Sequence, residues 1–172
     1  RRAQMNNSPG ASGMALPASL FLDERPLAQA IAPPPEPPGD EPQSLVLAVE
    51  LGQVAQQLRH RWARLDLNLP ERGTWPLESW RPALHEALYG LLGGAAQARP
   101  WQRITLNPAL DARHGRLRLD ILGQAEEGRR WLPAAVEAAR RLAGWQGGRL
   151  LWHAQGAYWC VRLLLPLSPA RR

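Results

Sequence analysis

Lysine is absent from this chain, so all 21 of its basic side chains are arginine. Cysteine is nearly absent: Cys160 stands alone among 172 residues. With no second thiol an internal disulfide is excluded, and one thiolate cannot build a metal site. Cys160 lies in the apolar run 158–165 and reads as a buried structural thiol rather than a nucleophile. No stretch approaches the roughly 20 apolar residues of a membrane-spanning helix, and no signal peptide is visible. His60, His114 and His153 occupy unrelated places, without metal-ligand spacing or a nucleophile–His–acid order. Basic runs with interleaved aromatics are missing too. The formal net charge of +6 therefore reads as an arginine-rich solvated surface, and a nucleic-acid partner is disfavoured.

Proline, glycine and tryptophan are plentiful, at 17, 15 and 8 residues. The prolines divide the chain. Residues 1–13 are polar and rich in Gly, Ser and Asn, and disorder is expected there. Residues 16–31 carry apolar side chains broken by Pro17 and Pro26, an arm able to pack on a domain. Residues 32–42 (APPPEPPGDEP) form a stiff polyproline-type spacer. The expected organisation is an arm and linker over 1–43, one domain over 44–166 and a tail over 167–172. The chain opens on Arg1 rather than Met. The expectation is a cytoplasmic piece of a longer protein, tethered to the inner membrane by an upstream segment.

Within the domain, Ser44 is placed to cap a helix. Leu47, Leu51, Val54 and Leu58 follow at helical spacing. Residues 64–69 (RLDLNL) alternate as a half-buried strand ended by Pro70. After a turn over 71–76, a helix is expected from about Leu77 to Ala98, with Leu84, Leu88, Leu91 and Ala95 on one face. Gly90, Gly93 and Gly94 interrupt that helix, each at a cost of up to about 1 kcal/mol relative to Ala. They call for a reason: close packing, or loss of side chains that once had a task. Strands at 103–107 and 116–122 flank a turn at 111–115. A helix over 131–143 ends at Gly147-Gly148, and strands at 149–154 and 157–165 turn at Gln155-Gly156. This order predicts an α/β fold of the α+β two-layer sandwich type, a mixed sheet with helices on one face.

The order and its words resemble the ATP-binding catalytic domain of sensor histidine kinases, in the Bergerat-like superfamily shared with gyrase and MutL. The resemblance covers residues 44–166. LVLAVELGQVAQQLRHRWARLDLNLP matches the family's first helix and strand, and PALHEALYGLLGGAAQA its N-box helix. GRLRLDILGQ matches the strand leading to the G1 box. The strongest match is AVEAARRLAGWQGGRLLWHAQGAYWCVRLLLP, a helix, a Gly-Gly and two strands finishing in Leu-Pro.

The departures bear on function. The family's N-box carries two Asn a turn apart, the second giving an oxygen to the Mg²⁺ that bridges the ATP phosphates, as a hard cation requires. The matching positions here are Gly90 and Gly94. Glu86 lies one turn earlier and stands, in a slipped register, where other branches place an acid that activates water. The G1 box, Asp-x-Gly-x-Gly, survives only as Gly123. Asp120 falls one residue early, and in an alternating strand it faces the opposite side. The lid region is reduced to residues 124–130, and Gly128 there lacks the usual Gly-x-Gly pattern. His85-Glu86 is similar to the His-acid pair of a phosphoacceptor helix, but it sits inside the N-box segment.

Three readings follow. The first is a non-catalytic, pseudo-ATPase form of the domain without ATP, Mg²⁺ or other cofactor, a regulatory module that binds a protein partner: a kinase, a response regulator or a second copy. The second is a divergent, active histidine kinase domain that holds ATP through Glu86, Asp120 or the Arg129-Arg130 pair. The third is a basic nucleic-acid-binding module, resting on charge alone.

Overall fold

The computed structural model describes residues 36–124 and 129–169. The apolar arm at 16–31 and Gly128 of the shortened loop lie outside the described residues. Among the described residues there are seven strands and four α-helices. The elements are β1 (Gln43–Val46), α1 (Leu47–Arg61), β2 (Asp66–Asn68), β3 (Pro76–Ser79), α2 (Arg81–Ala98), β4 (Arg103–Asp111) and β5 (Arg116–Gln124). A single 3-10 turn (Arg129–Trp131) leads into α3 (Leu132–Ala135) and α4 (Glu137–Gln146), followed by β6 (Arg149–Gln155) and β7 (Tyr158–Pro166).

The main sheet has the order β2-β4-β5-β7-β6. β2 and β4 run parallel and every other neighbouring pair is antiparallel, so the sheet is mixed, as expected. Alternation sorts its side chains. Ile104, Leu106, Leu117, Leu119, Ile121, Trp159, Val161, Leu163 and Leu165 face one way and join the core with Leu51, Val54, Leu58, Leu84, Leu88 and Leu91 of the helices. Their neighbours Arg118, Asp120, Cys160 and Arg162 take the other face. The result is an α+β two-layer sandwich.

Several boundaries differ from the sequence-based expectations. Ser44 caps nothing: it belongs to β1, which pairs antiparallel with β3. Helix α1 starts at Leu47 without a side-chain cap. The carbonyls of Trp75 and Thr74 instead accept from the Leu47 and Ala48 N–H groups, at 3.0 and 3.2 Å. The segment expected to open the second helix, Leu77–Ser79, is therefore strand β3, and α2 begins at Arg81 with Pro82 in its first turn. The helix expected over 131–143 breaks at Val136, whose φ of −86° and ψ of −3° separate α3 from α4. Gly147 does end α4, in the left-handed conformation at φ 78°.

A buried amide joins the layers. Gln146 accepts from Ser79 Oγ at 2.8 Å and donates to the Glu78 and Pro166 carbonyls at 2.9 and 3.0 Å, fixing the end of α4 to β3 and β7. Leu167, placed in the expected tail, accepts from Glu78 N–H and donates to the Gly115 carbonyl, continuing the order past β7.

Candidate functional site

Helix α2 buries Leu84, Leu88, Leu91 and Ala95 against the sheet, as the spacing predicts. Its other side carries Gly90, Gly93 and Gly94, and there α2 meets α1 and α3. A Cβ at Gly94 would lie 2.8 Å from the Ala135 Cβ and 3.4 Å from a ring carbon of Trp131. At Gly93 it would touch the Trp62 ring at 3.5 Å. Close packing is thus the reason for Gly94, whereas a Cβ at Gly93 would make only ordinary contact. Gly90 is exposed, and a Cβ there meets only the Ala135 carbonyl, at an ordinary 3.7 Å.

This contrast gives a paired prediction. Gly90→Ala should raise stability by about 0.5–1 kcal/mol, the helix-propensity gain with room to spare. Gly94→Ala should lower it by about 1–3 kcal/mol despite the same gain, because neither Ala135 nor the backbone beneath it can yield cheaply. Urea denaturation of both variants checks the pair.

Around the glycines lies an open cleft of about 590 Å³. Glycines of α2 form its floor. Its walls are Arg61 and Trp62 from the end of α1, Tyr89, Gln97 and Ala98 of α2, and Trp131, Ala134 and Ala135 beyond the shortened loop. The Trp62 and Tyr89 rings are 6.4 Å apart, and the Arg61 guanidinium stacks 4.6 Å above the Trp62 ring. None of these lining residues is a carboxylate, so the described walls of the cleft offer a divalent cation no anionic ligand.

The remaining predicted site residues are not gathered here. Glu86 is 65% exposed, pairs with Arg141 at 3.0 Å and does not line the cleft. Strand β5 keeps regular register with β7 through Gln124, so it neither slips nor bulges at Asp120. Asp120 lies on the face away from the helices and is 2% exposed. Its cross-strand neighbour Arg162 donates to both carboxylate oxygens, Nε to Oδ1 at 2.8 Å and Nη2 to Oδ2 at 3.1 Å. Arg118 adds a third contact at 3.4 Å. Asp120 is the anion of a buried ion cluster and is fully engaged there.

Gly123 sits opposite Trp159 in the β5–β7 register. A Cβ at Gly123 would fall 2.4 Å from the Trp159 indole. The indole covers the glycine and is fully buried. It is held edge-to-face against Trp131 with 5.2 Å between centroids. Its Nε1 donates to Gln102 Oε1 at 3.2 Å, and the Gln102 amide in turn donates to the Ala95 carbonyl of α2 at 2.6 Å. The chain Trp131–Trp159–Gln102–Ala95 therefore fills the space between α2 and the end of β5. Sequence reasoning singled out Gly123 but missed Trp159 and Gln102; only the register reveals that they converge.

His85 offers its ring Nε2 to the buried Glu50 carboxylate at 2.5 Å, and Arg81 pairs with the same carboxylate at 3.1 Å. These three side chains join α1 to α2. Cys160 is buried beside Leu122 and Leu151 on the outer sheet face. Burial pushes its pKa up, and a backbone hydrogen bond from His153 offsets part of this, so it is no activated thiolate. Among the described residues no group of His, Cys, Asp and Glu could hold a metal ion, and no helix is long and apolar enough to cross a membrane.

No known family profile matches the chain, and neither does any curated protein. Solved structures do match. The catalytic domain of histidine kinase ThkA superposes with a TM-score of 0.64 at 13% identity, over 76% of this chain and 100% of that one. Mycobacterial sensor histidine kinase MprB gives 0.60 at 14% identity, over 74% and 100%. A histidine kinase from Burkholderia phymatum STM815 gives 0.61 at 20% identity, over 74% of this chain and 72% of that one. The fold is that of histidine kinase catalytic domains.

Proposed function

We propose that this domain, built on the histidine kinase catalytic fold, is a non-catalytic regulatory module that binds no Mg²⁺–nucleotide and acts through a protein partner in two-component-type signalling. The observation that carries the reading is what stands at the two motif glycines. Gly94 has no side chain to offer as a ligand, and on the floor of the open cleft a Cβ there would meet Ala135 at 2.8 Å and the Trp131 ring at 3.4 Å. At Gly123 the Trp159 indole occupies the approach. Asp120, one residue before the G1 position, is committed to Arg162 on the far face. These described residues do not fit a bridged Mg²⁺–phosphate group.

A response regulator is the partner class with outside support, since a structure of ThkA in complex with response regulator protein TrrA has the same fold, at a TM-score of 0.60 and 11% identity. Incubation of the chain with Mg²⁺ and radiolabelled ATP, with and without a receiver domain, tests the reading. Neither protein should take up label. Labelling of either one would favour the divergent active kinase.

A further inference from the structure

We propose that the cleft over Gly90, Gly93 and Gly94 is the seat of this chain's own apolar N-terminal run, residues 14–22 (MALPASLFL), held there intramolecularly by the proline-rich tether. Three features point to this occupant. The first is surface. The half-buried rings of Trp62, Tyr89 and Trp131 surround a glycine floor, so the cleft presents apolar walls and backbone. Its volume of about 590 Å³ falls in the range, roughly 300–1,000 Å³, that holds compact apolar groups. Residues 14–22 form the longest apolar stretch outside the described residues.

The second is reach. The tether is fixed at one end, because Trp80, at the N-terminus of α2, donates its indole N–H to the Asp40 carbonyl at 2.8 Å. From Trp80 the cleft glycines lie ten to fourteen residues along α2, or about 15–21 Å at helical rise. The seventeen residues 23–39 that join the run to Asp40 have a reach of up to about 50 Å at the polyproline rise per residue. The tether is thus long enough to bring the run to the cleft.

The third is charge. Asp23 and Glu24 directly follow the apolar run. Arg61 is exposed at the cleft rim, anchored by its stacking on Trp62. With the run seated, the acid pair comes to this cation.

The inference rests on the reading of an erased nucleotide site, but its test does not use nucleotide. Hydrogen exchange is followed in the full chain over residues 86–98 and 129–136. The variant Leu20→Asp/Phe21→Asp lies outside the described residues and replaces none of the described core side chains. Ala134→Glu places a charge in the cleft from an exposed position. Each should raise exchange over those residues at least about tenfold, and the two combined should do no more than one alone. Tryptophan emission should move to longer wavelength in the same variants. Unchanged exchange in the Leu20→Asp/Phe21→Asp variant overturns the proposal. Protection in the unaltered chain that vanishes on dilution also overturns it, since the run would then enter a second copy. Adding Mg²⁺–ATP to the arm variant separates the two readings. Protection restored by nucleotide would overturn the erased site and leave the seating in place.

Discussion

Asp120→Leu should destabilise the domain by about 3 kcal/mol or more, the usual cost of removing one partner from a buried ion pair. The reason is what stays behind. Arg162 has a side chain only 9% exposed, and its guanidinium donates two hydrogen bonds to Asp120 across the β5–β7 ladder. Without the carboxylate, that guanidinium loses both of these hydrogen bonds, and Arg118, drawn to Asp120 at 3.4 Å, is left beside a like charge. The double variant Asp120→Leu/Arg162→Met should recover part of the loss, because the buried pair is replaced by two apolar side chains on a sheet face that already holds Cys160, Leu122 and Leu151, while the Arg118 side chain, 31% exposed, keeps access to water. Urea denaturation of both singles and the double gives the coupling energy. If Asp120 served a nucleotide instead, Asp120→Leu would change ligand binding while leaving the unliganded melt nearly unmoved.

Gly123→Ala should cost about 3 kcal/mol, at the upper end of overpacking effects. The added methyl would stand 2.4 Å from the Trp159 ring, and this ring has nowhere to go. It is fully buried, bonded to Gln102 and set against Trp131. Either β5 and β7 part or the indole leaves its hydrogen bond. Trp159→Phe alone should also destabilise, since it leaves the Gln102 carbonyl oxygen unpaired in the core. The double variant should lose less than the sum of the singles, because the smaller ring makes room for the methyl. Simple additivity would mean that Gly123 and Trp159 are not in steric contact.

Both effects show why the site was only partly legible in the sequence. Long, periodic elements were readable: Leu47, Leu51, Val54 and Leu58 line one face of α1, and Leu84, Leu88, Leu91 and Ala95 one face of α2. The alternation of RLRLDIL already placed Asp120 on the face opposite Leu117, Leu119 and Ile121. What it could not give was the partner, since Arg162 lies 42 residues away and meets Asp120 only through register. Strands β1 and β3 were missed because each has four residues and forms a sheet only with the other. Ser44 looked like a helix cap because capping was assumed to be local, whereas the carbonyls of residues 74 and 75 do that work. The three glycines in α2 were visible, but their reasons were not. Gly94 answers to Ala135, while Gly90 and Gly93 would meet nothing closer than ordinary contact.

The central claim, that this histidine-kinase fold has lost its nucleotide site, is tested most directly by calorimetric titration of ATP and ADP into the full chain, with and without Mg²⁺, alongside thermal melts. A ligand at 100 times its dissociation constant would stabilise the domain by roughly 2.7 kcal/mol. The account predicts no heat of binding and no shift of the melt at millimolar nucleotide. Micromolar binding with a matching rise in the melting temperature would contradict it.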